Sequence, residues 1–149
     1  MKLENLQKME IGVNNRVIPI GMDSIRSILD LPLQIKMVVL YRKLQYIHEE
    51  LEEHWSRKGE KVLIPIETTD QKKFQQSIKK TVAKLKKHHE CIILCEGGPE
   101  GTSLILTMLI REIEKSENPI EELQKRAPFT LNEGAINRLR EELLLSRIV

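Results

Sequence analysis

The chain has 149 residues, a length that suits one domain and supports a buried core without disulfide or metal staples. Charged residues make up 31% and apolar ones 40%, with 7 Gly and 6 Pro, which excludes disordered and fibrous classes. A net charge of +2 decides little, but an aromatic share of 3% argues against readers of single-stranded nucleic acid that depend on base stacking.

Residues 1–15 are polar enough to form a mobile N-terminal arm, leaving 16–149 as the folded domain. Their opening stretch, MKLENLQKME, lacks the apolar segment of a signal peptide. No apolar run approaches the length of a membrane span. A cytoplasmic protein with reduced thiols and no membrane contact is therefore expected.

Short apolar runs bounded by turn residues predict strands at Arg16–Ile20, Lys36–Tyr41, Lys61–Ile66 and Cys91–Cys95. Helical patterns lie between them, so the expected fold is α/β, with a central, mostly parallel sheet flanked by helices. Asp23–Leu31 reads as a short helix that stops before Pro32. From Lys43 to Arg57, Leu44, Ile47, Leu51 and Trp55 recur at spacings of three and four, which predicts an amphipathic helix ended by Gly59.

Between Gln71 and His89 a further helix carries Phe74, Ile78, Val82 and Leu85 on one stripe, and seven lysines with no acidic residue elsewhere. Such a charge run is ordinarily a solvated outer face; the sharper reading is a docking surface for an acidic or phosphorylated protein, with salt sensitivity as its signature. Nucleic acid is not expected, because no base-reading fold or interleaved aromatics accompany the lysines. Thr102–Lys115 is apolar almost all round and predicts a central buried helix. Asn118 with Pro119 starts a short helix to Arg126, and Thr130 with Glu133 predicts a capping box for a last helix burying Ile136, Leu139 and Leu143.

The cysteines, Cys91 and Cys95, lie four apart on an expected strand, so their Cα atoms stand roughly 13 Å apart, beyond disulfide reach. His48, His54, His88 and His89 fall in helical patterns without a second Cys pair at ligand spacing, so neither a metal nor another cofactor is expected. One site stands out: a strand ending in Cys95, a Gly-rich turn over 96–102, then the N-terminus of the buried helix. Ligands gather at the carboxyl ends of strands in open α/β sheets, and unpaired backbone amides with the positive helix end stabilise anions there. The same field lowers a thiol pKa and activates a nucleophile.

With its order of elements, this region resembles the cysteine-based protein tyrosine phosphatases, most nearly their small dual-specificity branch. The family signature reads His-Cys-x-x-Gly-x-x-Arg-Ser/Thr at a strand-loop-helix junction. Here the residues are Leu94, Cys95, Glu96, Gly97, Gly98, Pro99, Glu100, Gly101 and Thr102. The likeness extends upstream to VLIPIETTD, similar to the general-acid loop, and downstream to NPIEELQKRAPFTLNEGAINRL, similar to the paired C-terminal helices.

The resemblance implies a phosphate loop from Cys95 to Thr102, with Cys95 as nucleophile, Asp70 as acid and Thr102 as the assisting hydroxyl. It also shows the damage. Gly101 stands where the family has its phosphate-clamping Arg, Leu94 replaces the His, and Glu96 and Glu100 give the loop two negative charges, which repel phosphate and raise the pKa of Cys95. Thr68 aligns nearest the usual Asp, with Glu67 and Asp70 as neighbours. Asp70 is also placed to cap the helix from Gln71, and capping is the favoured use for Thr102 as well. The expectation is a pseudophosphatase domain that binds protein or a phospho-ligand. The alternatives are a weak or atypical Cys-dependent phosphatase acting on phosphotyrosine, phosphoserine or phosphothreonine, in which a cation from elsewhere replaces the clamp, and an unrelated α/β domain with a Gly-rich turn.

Overall fold

The computed structural model describes residues 7–21, 35–41, 62–68, 70–95 and 100–148, together with 49 and 53. The helix expected over Asp23–Leu31, that over Lys43–Arg57 apart from the helical Glu49 and Glu53, and loop residues Glu96–Pro99 lie outside the described residues.

Among the described residues five strands form one sheet: β1 (Met9–Glu10), β2 (Arg16–Gly21), β3 (Met37–Tyr41), β4 (Val62–Ile66) and β5 (Glu90–Cys95), in the order β1-β2-β5-β3-β4. β5 pairs parallel with β2 on one side and β3 on the other, β3 pairs parallel with β4, and only β1 runs antiparallel. The alternation of strands and helices thus gives the expected mostly parallel sheet. Pro19 and Pro65 fit because neither must donate to an outer neighbour: the pairing of β1 with β2 involves only Arg16 and Val17, and β4 is the edge.

Side chains alternate between two buried faces. Val17, Met37, Val39, Ile64, Ile66, Cys91 and Ile93 belong to the main apolar core, while Ile18, Val38, Leu40, Ile92 and Leu94, one residue out of phase, are equally buried. Burial on both faces is why these strands read as continuous apolar runs rather than alternating ones.

The main core is closed by four described helices: α1 (Gln71–His88), α2 (Glu100–Glu114), α3 (Pro119–Arg126) and α4 (Glu133–Ile148). From Gly101 to Ile110 every residue of α2 is buried, as its all-round apolar sequence demands. α1 buries Phe74, Ile78, Thr81 and Leu85 and ends at His89, which takes a left-handed φ of 65° and returns its N–H to the Leu85 carbonyl. The last helix starts differently from expectation. Asn132, not Thr130, accepts the Ala135 N–H through its side chain at 2.8 Å, so α4 opens one residue after a direct Asx cap. Leu139 and Leu143 are buried as expected, and Ile136 is half-buried. No helix among the described residues is long and apolar enough to cross a membrane.

The polar arm expected over 1–15 is not an arm from residue 9 onward. Met9 and Ile11 are buried, and the segment joins the sheet as β1 and a turn. Two apolar side chains spaced by one residue drive it inward, and a polar fork fixes the turn. Arg126 holds Glu114 with both nitrogens, at 2.6 and 2.7 Å, and donates to the Glu10 carbonyl at 3.0 Å; Glu114 also accepts the Gly12 N–H at 2.8 Å. The Arg126 hydrogen bond holds the Glu114 carboxyl below its usual range, against the opposing effect of burial and with help from the Gly12 amide. Gly12 has φ of 66°, and a Cβ there would sit 2.7 Å from the Ile113 side chain.

Arg126→Met is expected to cost about 1.5–3 kcal/mol in urea unfolding, the range for a hydrogen bond to a charged group. Gly12→Ala should cost about 1–3 kcal/mol through left-handed strain and crowding. Because the Glu114 pKa is depressed by folding, its contribution is complete above the unfolded value of about 4.3 and is lost as pH falls through the folded one. Glu114→Gln should therefore flatten the acid limb of the stability curve in that window.

Candidate functional site

The candidate site is built by the central strand. β5 is hydrogen-bonded on both sides, and its last residue, Cys95, is level with Gly21 of β2. On the other side Leu40 pairs with Leu94, which brings Tyr41 at the end of β3 level with Cys95. α2 begins at Glu100, so the connection spans 96–99 and is shorter than the turn over 96–102 read from the sequence. The helix starts early because Glu100 and Gly101 are followed at once by residues whose burial rewards helical geometry.

That early start changes two assignments. Gly101 is the second residue of α2 and is buried, and Thr102 is the third, with 4% exposure. Thr102 therefore lies inside the first turn and is not the N-cap expected for it. Residues 100–103 present the amides that a helix start leaves without intrahelical acceptors, close in sequence to the strand end that carries Cys95. Of the expected phosphate loop, Cys95, Glu100, Gly101 and Thr102 are thus gathered at one strand-to-helix junction, while Glu96, Gly97, Gly98 and Pro99 lie outside the described residues.

Asp70 follows β4, two strands from β5, and its Oδ1 accepts the N–H groups of Lys72 and Lys73 at 2.8 and 3.2 Å. It is the N-cap of α1, the use favoured by its sequence context. The Glu67 N–H donates to Ser77 Oγ at 3.3 Å, and that hydroxyl donates to the Lys73 carbonyl, which ties the segment after β4 to α1. Glu67 is half-buried and Thr68 exposed.

A cavity of about 170 Å³ adjoins the first turns of α2, lined by Tyr41, Ser103, Leu104, Ala135, Arg138, Leu139 and Glu142. The sequence reading did not find it. Its signal was present: Arg138 and Glu142 are four apart on α4 and flank the core position Leu139, so they border the buried stripe rather than point away from it. Arg138 thus places a guanidinium on this cavity, a cation no spacing argument from Cys95 could reveal.

Cys91 is a free, fully buried thiol, and burial, with Glu90 adding to it, pushes its pKa up to about 12. It is a core residue. No group of three His, Cys, Asp or Glu side chains able to hold a metal occurs among the described residues.

No protein-family model matches the sequence and no curated protein sequence matches it, so the likeness to known proteins is one of structure. The fold aligns with a kinase associated phosphatase whose catalytic-site cysteine is replaced by serine, at a TM-score of 0.64 and 12% identity over 97% of both chains. It aligns with PTPMT1 at 0.59 and 12%, over 95% of this chain and 97% of that one. The active form of Tk-PTP gives 0.59 and 13%, over 89% and 92%. The chain therefore has the protein tyrosine phosphatase fold in its small, dual-specificity-like form, and the alternative of an unrelated α/β domain is set aside.

Asp70→Ala is expected to cost about 1 kcal/mol of stability through loss of the cap, and Asp70→Asn only a fraction of that, in thermal or urea unfolding. In a Cys95→Ser background Cys91 is the remaining thiol. It should resist Ellman's reagent in the folded protein at mildly alkaline pH and react fully on unfolding.

Proposed function

We propose that this chain is a catalytically impaired phosphatase-like domain that acts as a protein-binding module. The observation that carries the reading is Gly101. It is buried in the first turn of α2, at the position where the signature of the phosphatases has its Arg. A bidentate guanidinium makes two charge-assisted hydrogen bonds that strengthen as negative charge spreads over the transferring phosphoryl group. Loss of one such stabilising group lowers rates on the order of a hundredfold to a thousandfold. Glu96 and Glu100 act in the same direction: they repel an incoming dianion and oppose formation of the Cys95 thiolate. Asp70, engaged as a cap, is a poor replacement for a free general acid. A protein ligand is favoured over a phospho-ligand because the loop itself carries the wrong sign of charge.

A second reading, a weak Cys95-dependent phosphatase, is favoured by one observation: Arg138 lines the cavity beside the first turns of α2. In that reading Cys95 attacks phosphorus, the leaving oxygen takes a proton from an acid, and Arg138 supplies the charge that Gly101 lacks.

Hydrolysis of p-nitrophenyl phosphate separates the two. Under the first reading the parent matches Cys95→Ser; under the second, activity disappears in both Cys95→Ser and Arg138→Met. The scaffold itself is tested by Gly101→Arg combined with Glu96→Gln and Glu100→Gln. Saturating vanadate should raise the Tm of that variant by several degrees, as binding to the folded state alone requires, and leave the parent unchanged.

A further inference from the structure

The surface of α1 concentrates charge in a way the rest of the chain does not. Its seven lysines, Lys72, Lys73, Lys79, Lys80, Lys84, Lys86 and Lys87, are accompanied by no acidic residue. The whole chain carries a net +2, so everything outside this helix carries a net −5. At 3.6 residues per turn the seven fall within an arc of about 160°, with exposed Gln76 and Ala83 along its middle. All but the half-buried Lys84 are exposed, and among the described residues none of the seven pairs with a carboxylate.

A helix that needed charge only for solubility would mix signs, as α3 does with Glu121, Glu122, Lys125 and Arg126. Here Lys80 and Lys84, and Lys84 and Lys87, are like charges at neighbour spacing, an arrangement that destabilises the helix. The carboxylates at its two ends offer no relief. Asp70 is bound to backbone amides, and Glu90 is held by Arg16 at 3.1 Å and Lys8 at 3.8 Å. At the C-terminal end the repulsion is felt by His88, whose pKa is lowered by burial first and then by Lys87, Lys84, Lys36 and His89.

We propose that the lysine face of α1 is a docking surface for an extended acidic segment, rich in Asp and Glu, of a partner polypeptide. Length and spacing support this occupant. Lys72 to Lys87 spans about 22 Å along the helix axis, the length of roughly seven extended residues. A run of carboxylates of that size matches seven lysines in number. The face holds no aromatic or large aliphatic side chain, so nothing on it inserts between lipid chains or stacks on a base. It stands apart from the Cys95 loop in sequence and does not depend on the reading of that loop.

The test is fluorescence anisotropy with a labelled octaglutamate peptide and the full chain. Binding is expected at low salt, weakening at least tenfold from roughly 50 mM to about 300 mM salt. It should be lost in a variant carrying Lys79→Glu, Lys80→Glu and Lys87→Glu, weakened in the milder Gln triple, and kept in Cys95→Ser and in Arg140→Glu on α4. Circular dichroism confirms that each variant is folded. Octaglutamate binding that survives charge reversal overturns the proposal. So does preferential binding of a mixed-sequence DNA duplex or of phosphatidylserine vesicles by the lysine face, since either assigns it to a different polyanion.

Discussion

The structure depends on the central strand being buried on both faces and paired on both edges. β5 has β2 and β3 as hydrogen-bonded neighbours, and its side chains alternate between two dry layers. A strand in that position has no freedom of register, because a slip of one residue would break two parallel ladders at once. Its carboxyl end is therefore a fixed point, and Cys95 occupies it. The chain then has 96–99 in which to reach α2, whose burial from Gly101 to Ile110 leaves that helix equally little freedom. A strand end fixed in this way, followed within a few residues by a helix start, brings unpaired helix-start amides close in sequence to Cys95.

The far end of α2 is secured by a different kind of interaction. Glu114, its last residue, is gripped by Arg126 of α3 and by the amide of Gly12. One carboxylate thus joins the sheet edge, the buried helix and the short helix that follows. With 22% exposure for Glu114 and 27% for Arg126, the pair keeps enough water contact to limit its desolvation cost while its bidentate geometry retains directionality. Apolar burial sets where α2 lies, and this fork sets where it ends. Lys115 then takes a left-handed φ of 55°, which turns the chain toward α3.

How far the sequence could be read followed the strength of each local signal. The four long strands were legible because burial on both faces makes them uninterrupted, and α1 and α2 because one is plainly amphipathic and the other apolar all round. β1 was not legible: two residues carry too little pattern, and Met9 and Ile11 are drawn in by contacts with elements a hundred residues away. The cap of α4 was misplaced for a local reason. Thr130 and Glu133 fit a capping box, but Asn132 immediately precedes the helix and reaches the third amide directly. At the strand-to-helix junction, Cys95, Gly101 and Thr102 are neighbours already in sequence, whereas Tyr41 and Arg138 come to the same end of the sheet through strand register and helix packing. Spacing in sequence carries no trace of that.

The separation of fold from chemistry is visible at single residues. The described parts of the junction, the end of β5 and the start of α2, are set by apolar residues and backbone. The side chains of the neighbouring segments are a separate matter: the chain keeps Cys95 and Thr102, carries Glu96, Glu100 and Gly101 between them, and uses Asp70 to accept two amides of α1. Neither Gly101 nor Asp70 belongs to the apolar core cluster, although Gly101 is buried and Asp70 caps α1. Positive charge, absent from the turn, is instead concentrated on α1, which leads from the segment after β4 back to the start of β5. Because a fold does not fix its function, the same scaffold can carry different chemistry at the strand end and on its outer helical faces.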